Sequence, residues 1–204
     1  MRLLLSPTSP FARKVHAVLL EKGLPFETVY LTPADATVSA ANPLGKIPAL
    51  LRDDAPALYD SALYDSAVIV QYLEAIAPTP AVFPADPLAR IEVLRWEALC
   101  DGVCDATVLR MVEGRRVSEK QEPKWIAHQE GKMRAGLVAI EAELGGRTYA
   151  VGGAFSLADI AIVMTVGYVT LRAPELLAPH DALVRWAATH AERPSLAMTA
   201  PPAA

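Results

Sequence analysis

The chain has 204 residues, of which 52% are hydrophobic and 21% charged, and a formal net charge of −4. That length gives one domain or two small ones with a real core, and the acidic balance leaves no basic footprint for nucleic acid. No apolar run reaches the length of a membrane span, and the N-terminus lacks a basic region leading into an apolar stretch and a cleavage site, so the chain reads as cytoplasmic, with no membrane partner.

Arg2 to Leu5 reads as a short buried strand. A turn, Ser6-Pro7-Thr8, leads to Ser9-Pro10, where serine suits a helix cap and proline suits the first helical position. Phe11, Val15, Val18 and Leu19 recur at helical spacing. Lys22-Gly23 ends that helix, with Pro25 just beyond. The free N–H groups at the helix start make Ser9 a natural seat for an anion. Phe26 to Tyr30 is β-rich and alternating, so it is a second strand, parallel to the first across a right-handed βαβ crossover.

Thr32 to Ala41 is weakly helical, and Asn42-Pro43-Leu44-Gly45 is a turn. Ile47 to Leu51 is a strand with Pro48 near its start. That strand lies at a sheet edge, or its Ile47–Pro48 bond is cis and presents backbone to a ligand. Arg52 to Pro56 is a turn to an antiparallel strand. Ala57-Leu58-Tyr59-Asp60-Ser61 is then repeated at once as Ala62-Leu63-Tyr64-Asp65-Ser66. Ala67 to Leu73 follows as a helix capped by Ser66. A proline-rich stretch without periodicity, residues 78–87, reads as a linker. It divides a domain over residues 1–77 from an all-helical domain over 88–204, in which no strand is expected. Helices are expected from about Pro87 to Arg115, from Pro123 to Leu144 with Gly145-Gly146 closing it, from Ile160 to about Leu171, and from Ala182 to Ala191. Ser156-Leu157-Ala158-Asp159 has the spacing of a capping box. The helix behind it is hydrophobic nearly all round and so central. The tail from Ala200 to Ala204 is expected to fray.

The two cysteines, Cys100 and Cys104, share one helix face and read as core packing, because no cluster of histidine or cysteine completes a metal site. Asp101 and Asp105 lie one turn apart. With no histidine near, they line a cleft, meet a partner subunit or face solvent, and no metal site is expected.

Four stretches in this order resemble the cytosolic glutathione transferase family over essentially the whole chain: Ser9-Pro10-Phe11-Ala12-Arg13-Lys14, Asn42 through Pro48, Tyr64-Asp65-Ser66 and Ser156 through Ala161. The flavour is that of bacterial serine-type members related to the theta and zeta classes. The resemblance implies an α/β plus all-α architecture: a thioredoxin-like N-terminal domain (βαβαββα) followed by an all-helical C-terminal domain. It also implies a homodimer, a detoxification role, and glutathione as co-substrate with a small electrophilic, largely apolar second substrate.

In that light Ser9 is the catalytic candidate, donating a hydrogen bond to the glutathione sulfur. It stands where oxidoreductase members carry cysteine, and the absence of cysteine from the N-terminal domain argues against disulfide exchange. Ile47 and Pro48 resemble the corner that pairs with the cysteinyl part, and Lys46 is a partner for the glycyl carboxylate. Asp65 and Ser66 resemble the acidic-Ser pair for the γ-glutamyl end. Family spacing counted forward from Pro48 points to Asp60-Ser61, and counted back from Ile69 it points to Asp65-Ser66. The second copy is preferred, because a five-residue shift would rotate the cap by about 140° relative to the helix's core face. Second-substrate pocket residues are expected to be Phe11, Thr107, Val108, Met111 and Trp125, with Tyr168 and Arg172. A non-catalytic binding or interaction protein on the same fold is the competing reading.

Overall fold

The computed structural model describes residues 1–32, 34–52 and 62–202. The chain forms two compact units, residues 1–83 together with the segment from Pro194, and residues 84–193.

The first unit runs β1 (Arg2–Leu5), α1 (Pro10–Glu21), β2 (Glu27–Tyr30), α2 (Ala36–Ala41), β3 (Ala49–Leu51) and α3 (Ser66–Ile76). The sheet order is β2-β1-β3, with β1 parallel to β2 and antiparallel to β3. Three leucines make β1 the central strand, since Leu3, Leu4 and Leu5 are all buried. The fourth strand of the expected βαβαββα order is represented, among the described residues, by one antiparallel bridge between Leu63 and Leu50. Helix α1 packs beside α3 and buries Val15, Val18 and Leu19. Its C-terminal end is pinned by a buried lysine: Lys22 Nζ donates to Glu74 Oε2 at 2.6 Å, to the Ala77 carbonyl at 2.6 Å and to the Pro80 carbonyl at 3.0 Å. Gly23 follows at φ 60°, the left-handed geometry that a helix-ending glycine supplies.

The second unit contains α4 (Pro87–Gly114), α5 (Pro123–Leu144), α6 (Leu157–Arg172) and α7 (Asp181–Ala191), with short 3-10 turns at Ser118–Lys120 and Pro174–Leu177. No described residue of this unit is in a strand. Helix α4 packs against both α5 and α6. Cys100 and Cys104 are buried on α4, and Cys104 Sγ lies 3.5 Å from Thr165 Oγ1 of α6. Helix α6 is buried on nearly every side. Among the described residues, no helix is long and apolar enough to cross a membrane.

Close approach of α4 and α5 depends on Gly136. A Cβ there would meet Val103 Cγ2 at 2.3 Å. Val103 is buried and β-branched, so it cannot swing aside within its helix. Gly136→Ala is therefore expected to lower stability by about 1–3 kcal/mol through overpacking, despite the better helix propensity of alanine. A urea midpoint that falls with an unchanged slope is the expected reading. A rise in midpoint would contradict it.

Two local findings differ from the sequence expectation. Asp65, not Ser66, is the N-cap of α3: its carboxylate accepts the Ala67 N–H at 3.0 Å and its carbonyl accepts the Ile69 N–H at 2.9 Å. Two good capping residues stand side by side, and the helical backbone starts at Ser66 itself, one residue earlier than a Ser66 cap would give. The segment after Arg193 also differs. It forms a short helix, α8 (Pro194–Met198), that packs on α1 of the first unit. Ser195 Oγ donates to Glu21, and Arg13 Nη2 donates to the Leu196 carbonyl at 3.1 Å.

Candidate functional site

Ser9 is the N-cap of α1, in extended backbone at φ −77° and ψ 120°. Its Oγ accepts the Ala12 N–H at 3.2 Å, and the Arg13 N–H closes on the Ser9 carbonyl at 3.0 Å. The turn before it is fixed by the Ser9 N–H donating to the Ser6 carbonyl at 3.1 Å. Ser9 is half-buried. Its hydroxyl spends an acceptor lone pair on the cap, while its own O–H donates to no acceptor among the described residues. The arrangement can therefore donate one hydrogen bond to an anionic or polarisable atom seated at the positive end of α1.

The Ile47–Pro48 peptide bond is cis. Pairing of β3 with β1 starts at Ala49, so the Ile47 N–H and C=O lie ahead of the ladder. The sequence reading gave Asn42 only as the start of a turn, and its role in positioning this segment went unseen. Its buried side chain donates from Nδ2 to the Lys46 carbonyl at 2.9 Å and accepts the Leu44 N–H at Oδ1 at 3.0 Å. An asparagine opening an Asn-Pro-x-Gly turn is the signal that could have found it. The Lys46 side chain is exposed.

At the start of α3, Asp65 is exposed while Ser66 is only 1% exposed. Ser66 Oγ donates to Asp65 Oδ1 at 3.1 Å. The Tyr64–Asp65 peptide bond is cis. The pair thus presents one exposed carboxylate, backed by the buried Ser66 hydroxyl that donates to it, beside the first N–H groups of a helix. The first copy of the repeat, with Asp60 and Ser61, lies outside the described residues.

Of the expected pocket residues, Phe11 is on α1 in the first unit and the other six are in the helical unit. Thr107, Val108 and Met111 lie within about one turn of α4. Thr107 is buried, and its hydroxyl donates back to the Val103 carbonyl at 2.8 Å. Trp125 is 42% exposed in the first turn of α5, with its ring tilted against His128 at 6.1 Å. Tyr168 and Arg172 come together: the Arg172 guanidinium carbon is 5.8 Å from the Tyr168 ring centroid. Burial pushes the Tyr168 phenol up from its ordinary value, against the opposing pull of Arg172. Asp101 is half-buried and Asp105 exposed. Asp159 is buried within its capping box. Burial raises its carboxyl above the ordinary range, and the N–H groups of Ala150 and Ser156 pull the other way.

Comparison with known proteins accounts for the ensemble. Residues 3–81 match the family model of the glutathione S-transferase N-terminal domain, and residues 123–189 match that of its C-terminal domain. The chain is 36% identical over 208 residues to the uncharacterized GST-like protein YibF of Escherichia coli (strain K12), covering 100% of both chains. It is 34% identical over 128 residues to a maleylacetoacetate isomerase of Pseudomonas aeruginosa, a match that covers 61% of this chain and 57% of that one. Among solved structures it resembles a glutathione S-transferase from Methylobacterium radiotolerans JCM 2831 in complex with glutathione sulfonate. That likeness has a TM-score of 0.92 and 40% identity, and covers 100% of this chain and 95% of the other. A glutathione S-transferase from Methylobacillus flagellatus KT with glutathione bound gives a TM-score of 0.91 at 41% identity, covering 98% of this chain and 99% of that one. With both domain models matched in order and a relative aligned from end to end, the chain belongs to the glutathione S-transferase family.

Proposed function

We propose that the protein is a glutathione transferase. Glutathione binds the first unit, the Ser9 O–H donates to its sulfur, and the resulting thiolate attacks a small, largely apolar electrophile held by the helical unit. One observation carries this reading. The Ser9 cap bond uses an oxygen lone pair, so the hydroxyl proton stays uncommitted at the end of a helix dipole. Solved relatives with glutathione or glutathione sulfonate bound support the choice of ligand.

A free thiol titrates near about 8.5, so only a few per cent is thiolate at neutral pH. Each unit of depression requires about 1.4 kcal/mol of preference for the charged form. One hydrogen bond to an ion, worth about 1.5–3 kcal/mol, supplies one to two units. The thiol proton leaves to solvent, and Ser9 keeps its own. With a halogenated nitroaromatic, a carbon–sulfur bond forms as halide leaves. Conjugation, dehalogenation and isomerisation share the thiolate step.

The supporting roles follow from chemistry. The Ile47 backbone pairs with the cysteinyl unit, and Pro48 shapes that corner. Lys46 neutralises the glycyl carboxylate. Asp65 meets the γ-glutamyl ammonium, and Ser66 with the N–H groups of α3 holds the γ-glutamyl carboxylate. In the helical unit Thr107, Val108, Met111, Trp125, Tyr168 and Arg172 are the residues for the electrophile, and in the first unit Phe11 is. The protein acts as a homodimer; light scattering that gives a monomer mass at working concentration rejects that part.

Retention on a glutathione column together with turnover of simple halogenated nitroaromatics is the expected result. Retention without turnover of any electrophile would instead favour a binding protein. Titration calorimetry assigns the repeat. Ser66→Ala should weaken glutathione by about tenfold or more, from loss of one bond to a charged group. Ser61→Ala should leave the affinity unchanged, and the reverse pattern moves the site to the first copy.

A further inference from the structure

We propose that the first unit carries a second ligand site, walled by Arg13 and the C-terminal segment, that takes a small carboxylate with a short apolar tail. The proposal does not rest on the transferase reading. A cavity of about 350 Å³ opens among Leu5, Ser6, Pro7, Arg13 and His16 on one side and Met198 and Pro202 on the other. Its volume falls at the lower end of the range for small-molecule pockets, about 300–1,000 Å³. None of Ser9, Pro48, Asp65 or Ser66 lines it.

Arg13 is the residue that asks for a ligand. It is only 8% exposed. Its guanidinium donates one hydrogen bond, from Nη2 to the Leu196 carbonyl at 3.1 Å, and its buried Nε has no partner. A guanidinium has five N–H donors, and buried charges are normally paired with an opposite charge. Lys22 at the other end of the same helix shows the usual solution, with two carbonyls and the Glu74 carboxylate around one ammonium. Among the described residues Arg13 has no carboxylate in reach, and no acidic side chain of theirs lines the cavity. Burial lowers its pKa to about 10, which still leaves it charged at neutral pH. His16 contributes no competing charge there, because burial lowers its pKa too.

The cavity therefore offers one fixed cation among mixed walls, with the apolar groups of Leu5, Pro7, Met198 and Pro202 beside the polar groups of Ser6, Tyr30 and Thr199. A carboxylate suits a single guanidinium, since two oxygens meet two parallel N–H groups. Leu5, Pro7, Met198 and Pro202 give an alkyl or aryl tail its contact surface.

Calorimetry on the full chain with sodium octanoate, and with octanol as the neutral comparator, tests the site. Octanoate should bind saturably, and tighter than octanol. Arg13→Met should weaken octanoate by about tenfold or more, the loss expected for one bond to a charged group, and leave octanol within about twofold. Ala200→Trp, which fills the cavity from the tail while leaving Arg13 in the chain, should block both probes. Both variants should still be retained on a glutathione column, and excess glutathione should not displace octanoate. The proposal is overturned if octanoate fails to saturate, if octanol binds as tightly, if glutathione displaces octanoate, or if Ala200→Trp binds octanoate like the wild type. The last outcome decides the matter even where Arg13→Met fails to fold.

Discussion

Ser9→Ala is expected to move the midpoint of the pH–rate profile for glutathione conjugation upward by about one to two units, the depression one charge-assisted bond supplies. The sign follows from the thiol. Its pKa in the complex is depressed, so activity is present above that depressed value and lost as pH falls through it. Without the Ser9 O–H the midpoint returns toward about 8.5. The wild type's advantage should be largest at and below its own midpoint and vanish as pH rises, with the variant the faster enzyme above the higher midpoint. The rate falls less than the thiolate fraction does, because a less stabilised thiolate is the better nucleophile, with a Brønsted slope of about 0.4–0.5. We expect kcat/KM near neutral pH to drop by only about 2.5- to 4-fold, so the shift of the midpoint is the sharper readout.

A pure capping role makes a different prediction for the same variant. Ser9→Ala leaves the Ala12 N–H without its 3.2 Å acceptor, which costs about 1 kcal/mol of stability whatever else Ser9 does. A loss of that size with an unmoved pH midpoint would reduce Ser9 to a helix cap. Ser9→Thr keeps both the cap and the O–H, and should restore the midpoint.

The features legible in the sequence are those whose physics is local. Ser9-Pro10 announced a helix start by capping chemistry, and α1 begins at Pro10. Gly145 closes α5 at φ 50°, as its left-handed preference dictates. The Ser156 and Asp159 spacing gave the capping box of α6, and near-uniform apolarity gave that helix its central place. What sequence could not show depends on distant partners. The five-residue helix α8 has too little length to signal itself, and is anchored through Arg13 to Leu196, 183 positions apart. Lys22 looked like an ordinary helix-ending lysine, yet its ammonium is buried among acceptors at 52, 55 and 58 residues' separation. Arg13 read only as part of a motif, because an unfilled donor set appears in no residue pattern. Around the candidate site the helix starts were readable. The choice between adjacent cappers Asp65 and Ser66 was not, since both suit the position and only the backbone decides.

Asp159→Ala should be the most destabilising of these substitutions, costing about 2–6 kcal/mol, from two buried donors left unsatisfied at about 1–3 kcal/mol each. Asp159 is 0% exposed. Oδ1 accepts the Ala150 N–H at 2.8 Å, and Oδ2 accepts the Ser156 N–H at 2.7 Å and the Ser156 hydroxyl at 3.0 Å. Alanine leaves two buried backbone donors without acceptors and loosens the first turn of the helix that α4 and α7 pack against. Asp159→Asn keeps one acceptor oxygen and should lose less, about 1–3 kcal/mol. Burial holds the folded carboxyl above its ordinary titration range, so its protonation contributes stability that is present below that range and lost as pH rises through the raised value. The gap between wild type and Asp159→Asn should therefore widen on acidification. Urea unfolding of both variants across that pH window checks each claim, and an Asp159→Ala loss under about 1 kcal/mol would mean the Ala150 and Ser156 amides find other acceptors.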